Sequence, residues 1–155
     1  MLNRYLQAQA DVVIRHGGDI DKFVGDEIMA RFIGPDMALR ATRVAIEMVE
    51  AVDTLNATRP VGAHRVAVGV GVNVGDAVLG AMGAERRMDF TVIGDAVNLG
   101  ARLCSAAKPG EVLVTEAVRS EVGDAKGIVF TAFEPVRVKG KHEPVPVYSA
   151  AKAPR

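Results

Sequence analysis

Cysteine and aromatic residues are scarce in this sequence, and neither sign of charge is in excess. Its 155 residues include one Cys, no Trp, two Tyr and five Phe, and 19 basic residues balance 19 acidic ones. A single cysteine excludes an intramolecular disulfide framework and is typical of a reducing compartment, so we expect a cytoplasmic location. General nucleic-acid binders and membrane-surface binders are usually basic, so the zero net charge argues against both kinds of partner.

Long hydrophobic runs are also lacking. The most apolar window, residues 66–72, contains glycines and is far shorter than the ~20 residues of a membrane-spanning helix. The N-terminus has no apolar core of a signal peptide. What is present is an ordinary globular composition, 49% hydrophobic and 25% charged. The length predicts one domain, which we place at residues 1–150, followed by a short tail at 151–155.

Hydrophobic periodicity predicts that helices and short strands alternate along the chain. Two tight hairpins interrupt the alternation, the first around Gly25-Asp26 and the second beginning near residue 73. Helices are predicted near 2–16, 36–58, 96–107 and 116–121, with Asp36 capping the second of them. Strands are predicted near 19–33, 64–74, 77–82, 90–93, 112–115, 129–138 and 145–148. This order favours an α+β sandwich, ferredoxin-like, with a mostly antiparallel sheet.

Glycine and histidine patterns indicate no familiar nucleotide or metal motif. The run Gly69-Val70-Gly71 begins like a dinucleotide-binding loop, but the third glycine position is Val74 and a strand follows. We therefore interpret these glycines as sites of close backbone packing. The three histidines and the single cysteine show no spacing typical of metal ligands.

Four polar residues are candidates for chemistry. Asp26 lies at the tip of a tight turn, where an exposed carboxylate suits a hard cation such as Mg²⁺, although turn aspartates are common. Lys22 stands in an otherwise apolar strand, for which a solvated edge is the ordinary explanation. Asn98 and Arg102 share one helix face; Arg suits phosphate, although such a pair usually marks a solvated surface.

Taken together, three sequence blocks are more specific than any of these residues. They are GGDIDKFVGDEIMARF (17–32), GVGVNVGDAVLGAMGAERRMDFTVIGDAVNLGARLCSAAKPGEVLVTE (69–116) and VRVKGKHEPVPVYSA (136–150). In order, spacing and wording they resemble the catalytic domain of class III adenylate and guanylate cyclases. The run MDFTVIGDAVNLGARL is the most specific part, and Thr91 in place of Asp resembles the bacterial and soluble bicarbonate-responsive subgroup.

The resemblance implies how the domain is used. In that family two like domains form a head-to-tail dimer with the active site between them, so we expect a homodimer or a heterodimer with another cyclase domain. One face supplies two metal-binding aspartates, of which Asp26 would be the second, for two Mg²⁺ or Mn²⁺ ions. The other face reads the nucleotide, and Lys22 with Thr91 would be its adenine-type pair.

The resemblance also implies the reaction, conversion of ATP to 3′,5′-cyclic AMP and pyrophosphate by attack of the 3′-hydroxyl on the α-phosphate. Asn98 would position the ribose, and Arg102 would stabilise charge on the α-phosphate. A lysine of 138–141, for which we favour Lys139, would contact the outgoing phosphates. In-line attack depends on positioning and charge neutralisation, which these residue types can supply without a nucleophilic side chain.

One family element is not among the 155 residues. The first strand, in wording like F-x-D-I-x-G-F-T, carries the first metal aspartate, and Asp11, Asp19 and Asp21 fall at the wrong places to replace it. We therefore expect a fold lacking the first strand, in a fragment, in a sequence whose start is wrongly assigned, or in a damaged cyclase. A non-catalytic dimerisation or nucleotide-sensing module is the main alternative. A diguanylate cyclase is the other, but its hairpin needs two glycines before the acidic pair and it lacks the TVIGDAVN block.

Overall fold

The computed structural model describes residues 1–84, 87–125, 127–138 and 140–154. Within them the predicted alternation of helices and short strands is confirmed. The elements are α1 Leu2–Arg15, β1 Asp19–Val24, β2 Glu27–Arg31, α2 Met37–Ala57, β3 Val70–Val72, β4 Val78–Ala84, β5 Arg87–Ile93, α3 Asp95–Ala106, β6 Val112–Thr115, α4 Glu116–Val122, β7 Ile128–Val136 and β8 Val145–Lys152.

The strands form three hydrogen-bonded groups. Strands β1 and β2 form one antiparallel hairpin, β4 and β5 form another, and a four-stranded sheet has the order β3-β6-β8-β7. The second hairpin therefore does not begin near residue 73 as predicted, because β3 pairs with β6 and β4 pairs with β5. Only β3 and β6 pair in parallel among the described residues, so the mostly antiparallel α+β architecture is confirmed. Within the described chain, the two hairpins share no backbone ladder with each other or with the four-stranded sheet.

Helix α2 joins the parts of the fold, because its apolar stripe contributes to two clusters. Val44 and Met48 pack with Val12 and Val13 of α1 and with partly buried Phe32 after the first hairpin. Ala38 and Ala45 of the same helix belong to the cluster on the four-stranded sheet. The buried residues of that cluster are Ala38, Ala45, Val72, Val112, Val114, Val118, Val122 and Ala150. Removal of these apolar surfaces from water is the main stabilising term for such a domain.

The strand predicted at 64–74 is much shorter in the structure, where only Val70–Val72 form β3. A side chain takes the place of a neighbouring strand before it. The Val66 N–H donates to Asn56 Oδ1 at 3.0 Å, and Asn56 Nδ2 donates to the Val66 carbonyl at 2.7 Å. The buried Tyr5 hydroxyl donates to the same Oδ1 at 2.8 Å. Both backbone groups of Val66 are thereby satisfied without a ladder.

Three further details differ from the predictions. Asp36 has a left-handed φ of 55° and makes no side-chain cap hydrogen bond in the described chain, since N-cap side chains reach the helix from an extended backbone. Strand β8 continues past residue 150, with Ala151 paired to Val129, so part of the predicted tail is ordered by β7. Strands β4 and β5 also occupy most of the loop expected at 83–89, of which residues 85–86 lie outside the described residues.

Glycines at 69 and 71 let β3 approach α3 closely. A Cβ on Gly71 would lie 2.5 Å from both the Gly100 carbonyl oxygen and the Cys104 backbone nitrogen, and one on Gly69 would lie 2.9 Å from the Ala107 Cβ. Such distances are far inside van der Waals contact, so the two backbones can meet here only at glycine. The interpretation of this run as a site of close packing is confirmed.

Substitution of Gly71 therefore has a defined expected cost. Gly71→Ala should lower the free energy of unfolding by about 2–3 kcal/mol, because the methyl group has to displace helix backbone. Gly100→Ala is the matched control, since its Cβ would meet nothing nearer than the Asn73 Cβ at 3.8 Å. Alanine inside a helix should leave stability unchanged or raise it by up to about 1 kcal/mol. Urea unfolding measures both, and equal stabilities of the two variants would contradict the close-contact argument.

Candidate active site

The first hairpin carries two of the predicted site residues. Gly25 and Asp26 form its two-residue turn, and the positive φ of 60° at Gly25 is what a type II′ turn requires at its first central position. The turn leaves Asp26 exposed at the tip. Lys22 lies in β1 opposite Met29 and is also exposed. Asp26 and Lys22 therefore lie in different parts of the hairpin, one in the turn and one in a strand.

Helix α3 carries Asn98 and Arg102. Both are exposed, while their neighbours Leu99 and Leu103 are buried and fix the helix against the sheet. The helix begins after Gly94, whose carbonyl oxygen accepts from the Asn98 N–H at 3.1 Å. Because the two polar residues are one turn apart, they present an amide and a guanidinium from the same helix face.

A further polar contact fixes the start of α3, and the sequence patterns missed it. Asn73 Nδ2 donates to the Ala96 carbonyl at 2.9 Å, and the Thr115 hydroxyl donates to Asn73 Oδ1 at 2.8 Å. Asn73 thus joins the first turn of α3 to the end of β6. Its only sequence signal was its place in the predicted turn after β3.

Two predicted site residues cannot be placed fully. Thr91 has its backbone in β5, paired with Gly80, and its side chain lies outside the described part of the chain. Lys139 lies outside the described residues. The neighbouring Lys141 is exposed, and its N–H donates to the Val138 carbonyl at 3.1 Å.

Asp21 is a buried carboxylate whose position in the sequence excluded it as the first metal ligand and indicated no other role. Its side chain has 0% exposure, and Arg31 Nη1 donates to Oδ1 at 3.1 Å. The backbone N–H of Val92 in β5 donates to the same oxygen at 3.3 Å. The strand that holds Lys22 therefore meets the strand that holds Thr91 at this carboxylate.

Charge at the hairpin tip reaches α3. Burial raises the pKa of the Cys104 thiol, and the Glu27 and Asp26 carboxylates raise it further, while a hydrogen bond with the Gly71 backbone acts in the opposite direction. The tip carboxylates are therefore near enough to α3 to act on a half-buried group there.

The metal-ligand set is incomplete within the described residues. No group of three or more His, Cys, Asp or Glu side chains there could hold a metal ion. Asp26 and Glu27 present hard oxygen donors that suit Mg²⁺ or Mn²⁺. These residues do not fit a complete two-ion site, although Asp26 can supply one ligand of a site completed elsewhere.

Four predicted site residues have described side chains, and all four lie on open surface: Lys22, Asp26, Asn98 and Arg102. One cavity of about 240 Å³ lies beside Tyr5 and Arg59, and one of about 260 Å³ lies beside Asp36 and Glu121, and none of these four residues lines either. Apolar side chains are exposed on the two hairpins, with Phe23 53% and Val78 68% accessible. In the described chain, no helix is both long and apolar enough to cross a membrane.

Known proteins similar to this chain share one description. The family model of the adenylate and guanylate cyclase catalytic domain matches residues 8–149. A terminal-differentiation specific adenylate cyclase of Dictyostelium discoideum is 36% identical over 164 residues, covering 99% of this chain and 8% of its own length. An adenylate cyclase of Anabaena cylindrica is 37% identical over 157 residues, covering 95% of this chain and 31% of its own length. The chain thus spans less than a third of either relative.

Two solved structures are similar over nearly the whole chain. The adenylyl cyclase CyaB from P. aeruginosa has a TM-score of 0.86 at 32% identity, covering 99% of this chain and 82% of that one. The guanylyl cyclase Cya2 has a TM-score of 0.87 at 32% identity, covering 98% of this chain and 79% of that one. Since one is an adenylyl and the other a guanylyl cyclase, likeness of the fold does not separate ATP from GTP.

The Cys104 thiol offers a test of the site's electrostatics. Because its pKa is raised, the midpoint of its alkylation rate against pH should lie higher in the folded chain than in the chain unfolded in urea. Glu27→Gln should move the folded midpoint downward by removing one nearby charge. Glu50→Gln is the control, since Glu50 pairs with Lys152 in another part of the fold. A midpoint that Glu27→Gln leaves in place would contradict the proximity of the hairpin tip to α3.

Proposed function

The chain belongs to the adenylate and guanylate cyclase catalytic domain family, and on that premise we propose that it supplies the nucleotide-reading face of an adenylate cyclase. The reaction is conversion of ATP to 3′,5′-cyclic AMP and pyrophosphate, in cyclic-nucleotide signalling. The observation that carries the proposal is the meeting of β1 and β5 at Asp21 and Val92, which brings the strands of Lys22 and Thr91 together.

Adenine preference follows from the donors and acceptors of this pair. A lysine ammonium only donates, which suits the N1 acceptor of adenine, while a threonine hydroxyl can accept from the exocyclic amino group. Guanine presents an N1–H donor in the same place. The ammonium is also a donor, so the two groups cannot form a hydrogen bond. An unpaired group at a buried purine edge is costly, so the pair would favour ATP.

Arg102 and Asn98 account for the chemical step on this face. The 3′-oxygen forms a bond to the α-phosphorus as the bond to the bridging oxygen of pyrophosphate breaks, and the proton of the 3′-hydroxyl passes to water. Negative charge grows on the α-phosphate oxygens, where the planar guanidinium of Arg102 would donate. Asn98, one turn earlier, would hold the ribose so that the attack is in line. Lys139 would contact the leaving phosphates.

The divalent ions of the family, Mg²⁺ or Mn²⁺, would neutralise triphosphate charge when bound, and Asp26 would hold them in part. Asp26 alone cannot complete that site, and the described residues hold no group of three or more His, Cys, Asp or Glu side chains that could bind a metal ion. The exposed apolar side chains of the two hairpins suit a protein interface. We therefore infer a head-to-tail dimer, either of this chain with itself or with another cyclase domain. A cytoplasmic site of action completes the proposal.

A nucleotide-binding module without turnover is the second candidate. The observation in its favour is the incomplete ligand set around Asp26. Such a module would bind nucleotide through the same residues, so binding alone does not separate the two functions. Turnover in a mixed dimer does.

Complementation tests the proposed division of labour. This chain alone should form little cyclic AMP with Mg²⁺ or Mn²⁺, as should a complete cyclase domain whose own purine-reading lysine and arginine are substituted. Their mixture should be active, because one composite site would take both aspartates from the complete domain and the reading residues from this chain. Arg102→Ala should lower kcat of the mixture about 100-fold with little change in KM.

Arg119→Ala is the control for that variant, since Arg119 is an exposed arginine of α4 paired with Glu116. Substantial turnover by the 155-residue chain alone would show that another carboxylate completes the site. An inactive mixture of two chains that circular dichroism shows to be folded would favour the non-catalytic module.

Purine preference is tested in the same mixture. ATP should be cyclised about tenfold faster than GTP or better, since one mismatched hydrogen bond costs on the order of 1–3 kcal/mol. Lys22→Glu should reduce that ratio, because a carboxylate accepts where the ammonium donates. Lys152→Glu reverses the same charge on an exposed part of β8 and should leave the ratio unchanged. Equal rates with both nucleotides in the unsubstituted chain would contradict adenine selectivity.

A further inference from the structure

Asp21 connects the two strands that carry the proposed purine-reading residues. We propose that it is a positioning residue, which sets the preference for ATP by holding β1 against β5 so that Lys22 and Thr91 meet the same purine edge. This inference rests on the proposed function. Asp21 itself is not proposed to touch the nucleotide.

The carboxylate of Asp21 is built into the fold. It has no solvent exposure, and its Oδ1 accepts from Arg31 Nη1 at 3.1 Å and from the Val92 N–H at 3.3 Å. A buried carboxylate is costly unless it is paired and hydrogen-bonded. Both contacts therefore restrain where the carboxylate can lie, and Val92 is restrained with it.

A β-bulge directs this side chain to β5. Ile20 pairs with Ala30 and Lys22 pairs with Met29, so Asp21 is the extra residue of β1. A bulge changes the direction of a side chain relative to the regular alternation of a strand. Here it lets Asp21 reach Val92 while the next residue, Lys22, is exposed.

The hydrogen bond between Asp21 and Val92 joins residues that are next to Lys22 and Thr91 in the sequence. Lys22 directly follows Asp21, and the Val92 N–H belongs to the peptide group that joins Thr91 to Val92. In the described part of the chain the two hairpins share no backbone ladder. The Asp21 side chain therefore links β1, which carries Lys22, to β5, which carries Thr91. Loss of this side chain allows the two strands to shift relative to each other.

Such a shift affects the discrimination between ATP and GTP more than it affects the stability of the fold. A displacement of about 1 Å in a reacting site can lower a rate by as much as 100-fold. General destabilisation would lower ATP and GTP activity in the same proportion. Misalignment of Lys22 and Thr91 lowers the ATP activity selectively, because the purine contacts depend on both residues. The ratio of the two activities therefore separates positioning from a merely structural role.

Asp19 provides a matched control. Its Oδ2 lies 3.8 Å from Nε of the same Arg31, but its side chain is 67% exposed. Asp19→Asn removes a carboxylate from the same guanidinium and leaves the Asp21–Val92 hydrogen bond in place. A general effect of charge near Arg31 would appear in both variants, whereas positioning of β5 would appear only at Asp21.

The experiment combines two measurements on Asp21→Asn, Asp21→Ala and Asp19→Asn. The first is hydrogen exchange of the Val92 amide in the 155-residue chain. The second is the nucleotide preference, expressed as two ratios. One is the ATP-to-GTP ratio of kcat/KM in the mixture with the substituted complete domain, and the other is the ratio of the affinities for 3′-deoxy-ATP and 3′-deoxy-GTP. Asp21→Ala should speed Val92 exchange and lower both ratios about tenfold, the scale of one lost hydrogen bond. Asp21→Asn keeps an oxygen acceptor, so its effects on Val92 exchange and on the nucleotide ratios should be smaller. Asp19→Asn should change neither Val92 exchange nor the nucleotide ratios.

An unprotected Val92 amide in the unsubstituted chain would overturn the contact itself, without any nucleotide or any variant that has to fold. Faster Val92 exchange in Asp21→Asn or Asp21→Ala with unchanged nucleotide ratios would overturn the positioning role. An equal fall in ATP and GTP activity would do the same. If the unsubstituted chain bound neither analogue while Val92 remained protected, the proposed function would fail, and the specificity role with it.

Discussion

The contact between β3 and α3 at Gly71 is the constraint on which the placement of the site depends. The strand passes so close that the carbonyl oxygen of Gly100 and the nitrogen of Cys104 occupy the space of a Cβ. Contact at that range leaves the helix little freedom to rotate or slide, since the interior is packed at solid-like density. The exposed face that carries Asn98 and Arg102 is set by this buried contact on the opposite side of α3.

Buried polar side chains make connections that regular backbone pairing does not make in this fold. Asn56 satisfies both backbone groups of Val66, Asn73 joins α3 to the end of β6, and Asp21 joins the two hairpins. The Asn56 and Asp21 contacts lie where the described chain has no backbone ladder, and the Asn73–Thr115 contact lies directly after the last pair of the β3–β6 ladder. Polar groups buried in this way stabilise one arrangement specifically, because any other arrangement leaves them unpaired. The hydrophobic clusters around α2 hold the layers together, and these side chains determine their register.

The site itself is distributed over surface that the single chain does not enclose. Asp26 is on an exposed turn, Lys22 is on an exposed part of β1, and the polar pair of α3 faces solvent. The cavities near Tyr5 and near Asp36 are elsewhere. A surface with this distribution can enclose a nucleotide only when another surface covers it, which agrees with the proposed dimer. The chain provides a rigid support for one wall of such a site.

The sequence by itself determined the class of fold, the first hairpin, the extent of helix α2 and the family, because these depend on local periodicity, turn chemistry and contiguous motifs. Asp26, Lys22, Thr91, Asn98, Arg102 and Lys139 could be named in advance only because they stand in those motifs, and their roles stay predictions. Tertiary structure decided the rest. The strand expected at 64–74 is short because Asn56 pairs with Val66, and Asp36 does not cap α2 because its backbone is left-handed. The part played by Asp21 depends on a bulge and on a partner 71 residues away, and no local pattern encodes either.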